Sequence, residues 1–180
     1  MKAKNRLAGF LALLLIAGMG YLWLFPSSLQ NAPDIALKTL DGEVIDLAAL
    51  RGRPVLVSFW ATTCAGCIKE LPQLIALYHE LAPKGLQIVA VAMAYDPPNR
   101  VVAMRKARRI PYPVALDIDA SIARAFGDIR VTPTTFLIAP DGSVVTHNTR
   151  EIDIAKTRQK ILNMLGRNRN RELMDENGSA

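Results

Sequence analysis

The sequence predicts an α/β fold in which a mixed central sheet carries helices on both faces. Compact apolar runs alternate with amphipathic segments, as in parallel strands joined by crossover helices. Two late apolar runs, 134–139 and 144–149, flank a Pro-Asp-Gly turn and should pair antiparallel. A β-hairpin precedes these elements. Before it lies an uncharged segment long enough to form one transmembrane helix.

Each element follows from apolar periodicity and from the turn residues around it. The pair Asp41-Gly42 accepts the positive φ angles of a tight hairpin turn. Pro72 should kink the first helix, Asn99 can cap the second, and Gly166 should end the last. The predicted elements are a hairpin over 34–50, strands over 55–59, 86–94, 114–116, 134–139 and 144–149, and helices over 64–82, 99–109, 121–126 and 152–165.

The first helix has apolar residues at steps of three and four, which predicts the face that it buries. These residues are Ile68, Leu71, Ile75, Tyr78 and Ala82.

Length and composition fit one monomeric soluble domain behind an apolar leader. The chain has 180 residues and a net charge of +6. Its basic residues are not combined with base-stacking aromatics or a known module, so nucleic-acid binding is not expected. The predicted division is a cytoplasmic N-terminus over 1–6, a transmembrane signal-anchor over 7–25, a linker over 26–33, the domain over 34–166 and a polar, disordered tail over 167–180.

The segment 7–25 predicts the cellular compartment of the domain. This segment holds 19 residues without charge, about enough to span a bilayer core, and aromatic residues cluster at its far end. Lys2, Lys4 and Arg6 precede it and should stay cytoplasmic. A cleaved signal peptide is the alternative, although no clear small-x-small site follows Phe25. Both interpretations place the domain outside the cytoplasm; we expect a single-pass protein of the bacterial inner membrane with its catalytic domain in the periplasm.

Cys64 and Cys67 are the two cysteines of the chain, and their spacing indicates chemistry rather than structural cross-linking. A bridge closing so small a loop removes little entropy from the unfolded chain. Cys64 lies where a buried strand gives way to a helix, and a thiolate at a helix N-terminus has a lowered pKa. Cys64 is therefore the predicted attacking thiol, with Cys67 one turn on as the resolving thiol.

Metal and haem sites fit the sequence poorly. A zinc site needs about four ligands, and the remaining histidines, His79 and His147, lie at unsuitable spacings. Haem attachment needs a histidine directly after Cys67, where the chain has Ile68. We therefore expect no metal or cofactor.

Two segments resemble the thioredoxin superfamily. VSFWATTCAGCIKELP (57–72) resembles its active-site segment, and RVTPTTF (130–136) resembles its cis-proline loop. The resemblance implies a thioredoxin fold and a cis bond between Thr132 and Pro133, lying against the C-x-x-C. The Thr132 backbone would then pair with a bound substrate peptide. Trp60 is expected on the substrate-contacting surface, with simple packing as the alternative.

Within that superfamily the chain is most similar to the TlpA/ResA group of membrane-anchored thiol–disulfide oxidoreductases. The similarity covers about 32–165 and includes the leading hairpin, a strand–helix insert over about 86–116 and the segment TPTTFLIAPDGSVV. It implies a reductant of protein disulfides, with apocytochrome c or copper-assembly proteins as clients and a membrane reductase of the DsbD/CcdA kind as electron donor. A binding or chaperone module without redox turnover is the alternative, and a peroxiredoxin-type peroxidase is a third hypothesis.

Two departures concern the site. Ser58 stands where many thioredoxins carry a buried Asp, while Glu70 resembles a glutamate of ResA-like members. Glu70 would exchange a proton with Cys67 if burial raises its pKa; otherwise it is a surface carboxylate favoured by the helix N-terminus. The motif T-C-A-G-C replaces the more usual W-C-x-P-C, so the redox potential is not predicted.

Overall fold

The computed structural model describes residues 31–178, with side chains described up to residue 168. The predicted transmembrane segment 7–25 lies outside the described residues. Between residues 31 and 178, no helix has the length and apolar character needed to cross a membrane.

A five-stranded mixed sheet forms the centre of the domain. Its strand order is β5-β4-β3-β6-β7, in which β3, β4 and β5 run parallel and β6 and β7 are antiparallel to their neighbours. The alternation predicted from the sequence is therefore confirmed. A separate antiparallel hairpin precedes the sheet, and Gly42 has the expected positive φ of 82° in its turn. The strands are β1 Ala36–Lys38, β2 Val44–Asp46, β3 Val55–Trp60, β4 Gln87–Ala92, β5 Val114–Leu116, β6 Thr134–Ile138 and β7 Val144–Asn148.

The four helices are α1 Ala65–Leu81, α2 Pro98–Arg108, α3 Ser121–Ala125 and α4 Ile154–Gly178. The expectation that Asn99 caps α2 is wrong. The helix begins one residue earlier, at Pro98, and Pro97 occupies the capping position without a side-chain bond. Proline suits the first helical position because its fixed φ is already helical and its missing N–H would lack an intrahelical partner.

The last helix does not end at Gly166, and this expectation was also wrong. It continues to Gly178 through residues that the sequence assigned to a disordered tail. A single interior glycine costs only about 1 kcal/mol relative to alanine. Arg, Glu, Leu and Met residues after it favour helix, so the penalty at Gly166 is readily offset.

The core has two layers, one on each face of the sheet. Along β3, Leu56, Ser58 and Trp60 face the layer that contains α1 and α4, whereas Val57 and Phe59 face α3 and the hairpin. Phe126, directly after α3, and Phe136 of β6 pack against Phe59 with ring centroids 5.2 and 6.1 Å away. All six residues of β3 are buried, as expected for a strand covered on both sides.

The buried face of α1 is rotated from the predicted one by about one residue. Its buried residues are Cys67, Glu70, Leu71, Leu74, Leu77 and Leu81. Ile75 and Tyr78 instead lie half-buried at the margin of the core. The leucines form a second stripe at steps of three and four, and that stripe packs against the sheet and α4. This rotation places Glu70 inside the protein.

Candidate active site

The redox pair lies at the edge of the sheet where the parallel strands end. The register aligns Trp60 of β3 with Ala92 of β4 and, through it, with Leu116 of β5. The antiparallel strand β6 begins at the same edge, since Thr134 is paired with Phe59. Loops from four distant parts of the chain therefore meet around the start of α1.

Cys64 and Cys67 form a disulfide in the structure. Cys64 is the N-cap of α1, and its Sγ accepts the Cys67 backbone N–H at 3.1 Å. This position lies at the positive end of the helix dipole, where a thiolate is stabilised. Cys64 is half-buried, whereas Cys67 is only 6% exposed. The two sulfurs therefore differ in both accessibility and electrostatic environment.

The Thr132–Pro133 peptide bond is cis, as the resemblance implied. The loop that contains it packs against the C-x-x-C through Gly66. A Cβ atom at Gly66 would lie 3.3 Å from Cδ of Pro133 and 3.5 Å from Oε1 of Glu151. The glycine therefore allows the proline loop to approach the helix closely.

Trp60 does not lie on the accessible surface, so the substrate-contact expectation is not met. Only 5% of the residue is exposed, and its indole Nε1 is buried without a hydrogen-bond partner. Its side chain lines an interior cavity together with Cys67 and Pro133. The packing alternative therefore describes Trp60.

Glu70 lines the same cavity and is 3% exposed. Neither of its carboxylate oxygens has a partner in ordinary hydrogen-bond geometry. Burial raises the pKa of Glu70 from its usual 4.5 to about 7; the Ile152 backbone offsets part of this rise, and the charge of Glu151 adds to it. This is the buried condition under which the sequence predicted a proton-exchanging role.

The cavity has a volume of about 20 Å³, which is enough for one water molecule. Ser58 also lines it, and its hydroxyl is 3.4 Å from the Thr135 hydroxyl. The position that is acidic in many thioredoxins is therefore neutral here. Among the described residues, Glu70 is the one carboxylic acid that lines this cavity.

A second buried carboxylate holds the loop before Cys64, and the sequence interpretation missed it. Asp96, 5% exposed, accepts the Thr62 backbone N–H and the Thr62 hydroxyl, each at 2.6 Å. The Met93 N–H also donates to the Trp60 carbonyl at 3.1 Å. An acidic residue in the loop after a parallel strand that neighbours β3 was the available signal, but the sequence analysis used this loop only for the predicted cap at Asn99.

Neither histidine lies with the cysteines. His79 is exposed on α1, and His147 stacks on Phe136 with ring centroids 4.3 Å apart. Within 31–178, no group of three or more His, Cys, Asp or Glu residues is arranged to hold a metal ion.

Known proteins resemble this chain in sequence and in fold. The AhpC/TSA family model matches residues 29–147. The thiol-disulfide oxidoreductase ResA of Bacillus subtilis (strain 168) is 35% identical over 156 residues, which cover 81% of this chain and 86% of that protein. This chain belongs to the ResA-like thiol-disulfide oxidoreductases. A second ResA, from Bacillus thuringiensis subsp. konkukian (strain 97-27), is 32% identical over 135 residues, or 73% of each chain.

Solved structures agree with the ResA-like assignment. A thiol:disulfide interchange protein of the thioredoxin family from Chlorobium tepidum TLS aligns with a TM-score of 0.68 and 28% identity, covering 76% of this chain and 96% of that one. The fold is thus thioredoxin-like, with a mixed sheet and helices on both faces. The chain is a thiol–disulfide oxidoreductase with the pair Cys64–Cys67, and its family implies protein thiols as clients.

Proposed function

We propose that the chain reduces disulfides of protein clients outside the cytoplasm, with Cys64 as the attacking thiol and Cys67 as the resolving thiol. The observation that carries this proposal is the asymmetry of the pair. Cys64 is reachable at the N-terminus of α1, while Cys67 is buried beside the cavity that contains Glu70.

In the first step the Cys64 thiolate attacks one sulfur of a client disulfide. A bond forms between Cys64 and that sulfur, and the second client sulfur leaves as a thiolate. The helix dipole and the Cys67 backbone N–H favour the thiolate form of Cys64. The buried Cys67 is shielded from the client during this step.

In the second step Cys67 attacks Cys64, which releases the first client sulfur and forms the disulfide seen in the structure. Cys67 must lose its proton to do so. Glu70 can accept it, through one water in the cavity, because a carboxyl group with a pKa near 7 exchanges protons readily at neutral pH. The client gains two electrons and Cys64–Cys67 loses two.

The direction and the partners rest on the family resemblance and on the N-terminal sequence. ResA-like relatives support a reductant, with apocytochrome c or copper-assembly proteins as clients. A membrane dithiol reductase of the DsbD/CcdA kind would then return two electrons to the Cys64–Cys67 disulfide. The uncharged segment 7–25 and the basic residues before it support a single-pass inner-membrane anchor with the domain in the periplasm. The region around Thr132 and Pro133 would receive the client backbone.

The central test is dithiothreitol-driven insulin reduction by the Cys64→Ser variant. We expect its catalysis to fall to the uncatalysed rate, whereas a binding or chaperone module would lose nothing because it has no catalysis to lose. Cys67→Ala should accumulate a mixed disulfide on Cys64, and mass spectrometry of the trapped partner would identify the client. Thiol-dependent consumption of peroxide at a rate above that of disulfide exchange would instead favour the peroxidase hypothesis.

The membrane placement is tested separately. We expect the full chain to stay in the membrane pellet after alkali extraction and to be degraded by protease added to spheroplasts. Release by alkali would contradict the anchor, and protection from protease would contradict the periplasmic orientation.

A further inference from the structure

Three large apolar side chains are exposed at the sheet edge that carries the redox pair. Tyr95 is 58% exposed, Ile118 74% and Val131 55%. Tyr95 follows β4, Ile118 follows β5, and Val131 precedes β6, so all three belong to loops at the same edge. We refer to Tyr95, Ile118 and Val131 as the apolar rim.

The strand order fixes the sequence of these side chains along the edge. The loops after β5, β4 and β3 and the loop before β6 present Ile118, Tyr95, Cys64 and Val131 in that order. Adjacent strands are about 4.8 Å apart, so four strands span roughly 14 Å. An extended peptide covers this length with four or five residues, at about 3.3 Å per residue. Apolar side chains therefore flank the disulfide on both sides within the reach of one short segment.

Tyr95 is held in place by hydrogen bonds on either side of it. Its hydroxyl lies 3.3 Å from the Thr132 hydroxyl, in the cis-proline loop. Its neighbour Asp96 binds Thr62, in the loop before Cys64. The ring is therefore positioned between the two loops before any client arrives, which lowers the entropy lost on binding.

Charged residues beside the rim are already engaged within the protein. Asp119 accepts a hydrogen bond from the Ser121 hydroxyl at 2.6 Å, and Arg130 pairs with Asp128. The apolar rim therefore lies among charged groups that already have partners within the protein.

We propose that Tyr95, supported by Ile118 and Val131, is a specificity-determining contact for an extended client segment in which an aromatic or aliphatic residue lies next to the reactive cysteine. The inference rests on the proposed function, because it assumes that a client sulfur reaches Cys64. Such apolar residues are normally buried in folded proteins. The rim thus selects unfolded or incompletely folded polypeptides.

The test uses two synthetic peptides, each with one intramolecular disulfide, that differ only in having Phe or Gln next to a cysteine. The pre-reduced full chain is mixed with an excess of each peptide in a single turnover. The second-order rate constant for disulfide reduction is expressed relative to that with the small disulfide DTNB, which reports the reactivity of Cys64. We expect the normal chain to prefer the Phe peptide. Tyr95→Ala should lose about tenfold on the Phe peptide and far less on the Gln peptide, as for an aromatic hot spot.

Two variants separate the ring from other causes. Tyr95→Phe keeps the ring and removes the hydroxyl, so it should retain most of the preference for Phe. Val44→Ala removes an apolar side chain of similar exposure, 66%, from the separate hairpin, and should leave the preference unchanged.

Three other outcomes would contradict the role of Tyr95, the selectivity of the apolar rim or the proposed redox function. An equal loss by Tyr95→Ala on both peptides, relative to DTNB, would show a structural role for Tyr95 and refute specificity. No preference by the normal chain would refute the rim as a selector. Reduction of both peptides by Cys64→Ser would instead refute the proposed redox function, independently of Tyr95.

Discussion

Two buried carboxylates contact the elements that carry the redox pair, and their surroundings give them different roles. Asp96, which holds the loop before Cys64, accepts two hydrogen bonds from Thr62. Glu70, beside Cys67, has no hydrogen-bond partner of ordinary geometry and has a pKa raised to about 7. Both carboxylates are buried, yet Asp96 stabilises a loop through its hydrogen bonds, whereas Glu70 is available to exchange a proton.

The largest expected effect concerns the chemistry of Glu70. Glu70→Gln should slow the release of a mixed disulfide from Cys64 by on the order of 10²-fold, the usual range for loss of a general base. It should also abolish the rise of this rate with pH near 7, which the ionisation of Glu70 would cause. Stopped-flow single turnovers with a peptide disulfide at pH 5–9 measure both.

Glu80→Gln is the matched control for that experiment. Glu80 lies on the same helix but is ion-paired with Arg158 at the surface. A similar slowing in both variants would show that Glu70 has no special role.

The next effect is on the free energy of unfolding, which depends on pH because burial favours the neutral form of Glu70. Its pKa in the folded state, about 7, lies above the ordinary 4.5, so the folded protein binds more protons between these values. The free energy of unfolding contributed by Glu70 therefore falls as pH rises from 4.5 to 7, by about 3 kcal/mol in total, and is constant above.

Urea unfolding of oxidised Glu70→Gln and of the normal chain at several pH values tests this linkage. The stability difference should increase in favour of the variant across that range, since other carboxylates cancel in the comparison. A difference that is independent of pH would contradict the raised pKa.

A smaller effect on the free energy of unfolding is expected for Asp96, which holds Thr62 in place. Asp96→Ala leaves the Thr62 N–H and hydroxyl without their acceptor, which costs about 2 kcal/mol. Urea unfolding measures it. Asp96→Asn can accept from the N–H and donate to the hydroxyl, so it should recover much of the loss. Full stability of Asp96→Ala would show that the two short bonds contribute nothing.

The smallest expected effect tests the neighbour of Glu70. Glu151 raises the pKa of Glu70 through its charge and is itself paired with Lys69 at 2.8 Å. Glu151→Gln should move the midpoint of the pH-dependent resolving step slightly downward, in the same single-turnover measurement. Lys69→Gln leaves the charge of Glu151 unpaired and should move the midpoint of the resolving step to higher pH. Shifts in the same direction for both variants would argue against an electrostatic origin.

The sequence predicted the fold well because its strands are short apolar runs and its turns carry Asp-Gly or Pro. The placement of Cys64 and Cys67 at the start of a helix was confirmed for the same reason. The predicted buried face of the first helix was wrong by about one residue. Two overlapping stripes of apolar residues exist on α1, and only packing against the sheet and α4 decides that Glu70 faces inward.

Trp60 and Asp96 illustrate two different limits. The predicted strand 55–59 stopped one residue short of Trp60, which in the structure ends β3 and is buried like the rest of that strand. Both faces of β3 are covered, so alternation alone does not separate surface from interior. Asp96 contacts Thr62 across 34 positions of sequence. That contact arises from the parallel pairing of β3 and β4, and no local pattern records it.

The unequal exposure of the two sulfurs also determines which thiol of the reduced enzyme is oxidised first. Oxidants convert accessible thiolates through sulfenic to irreversible sulfinic and sulfonic acids. Such reagents would meet the half-buried Cys64 first, since Cys67 in the first turn of α1 is only 6% exposed. A sulfenic acid on Cys64 is then one helical turn from a protected thiol, which can condense with it and restore the disulfide. A buried Cys67 would in this way limit over-oxidation of Cys64.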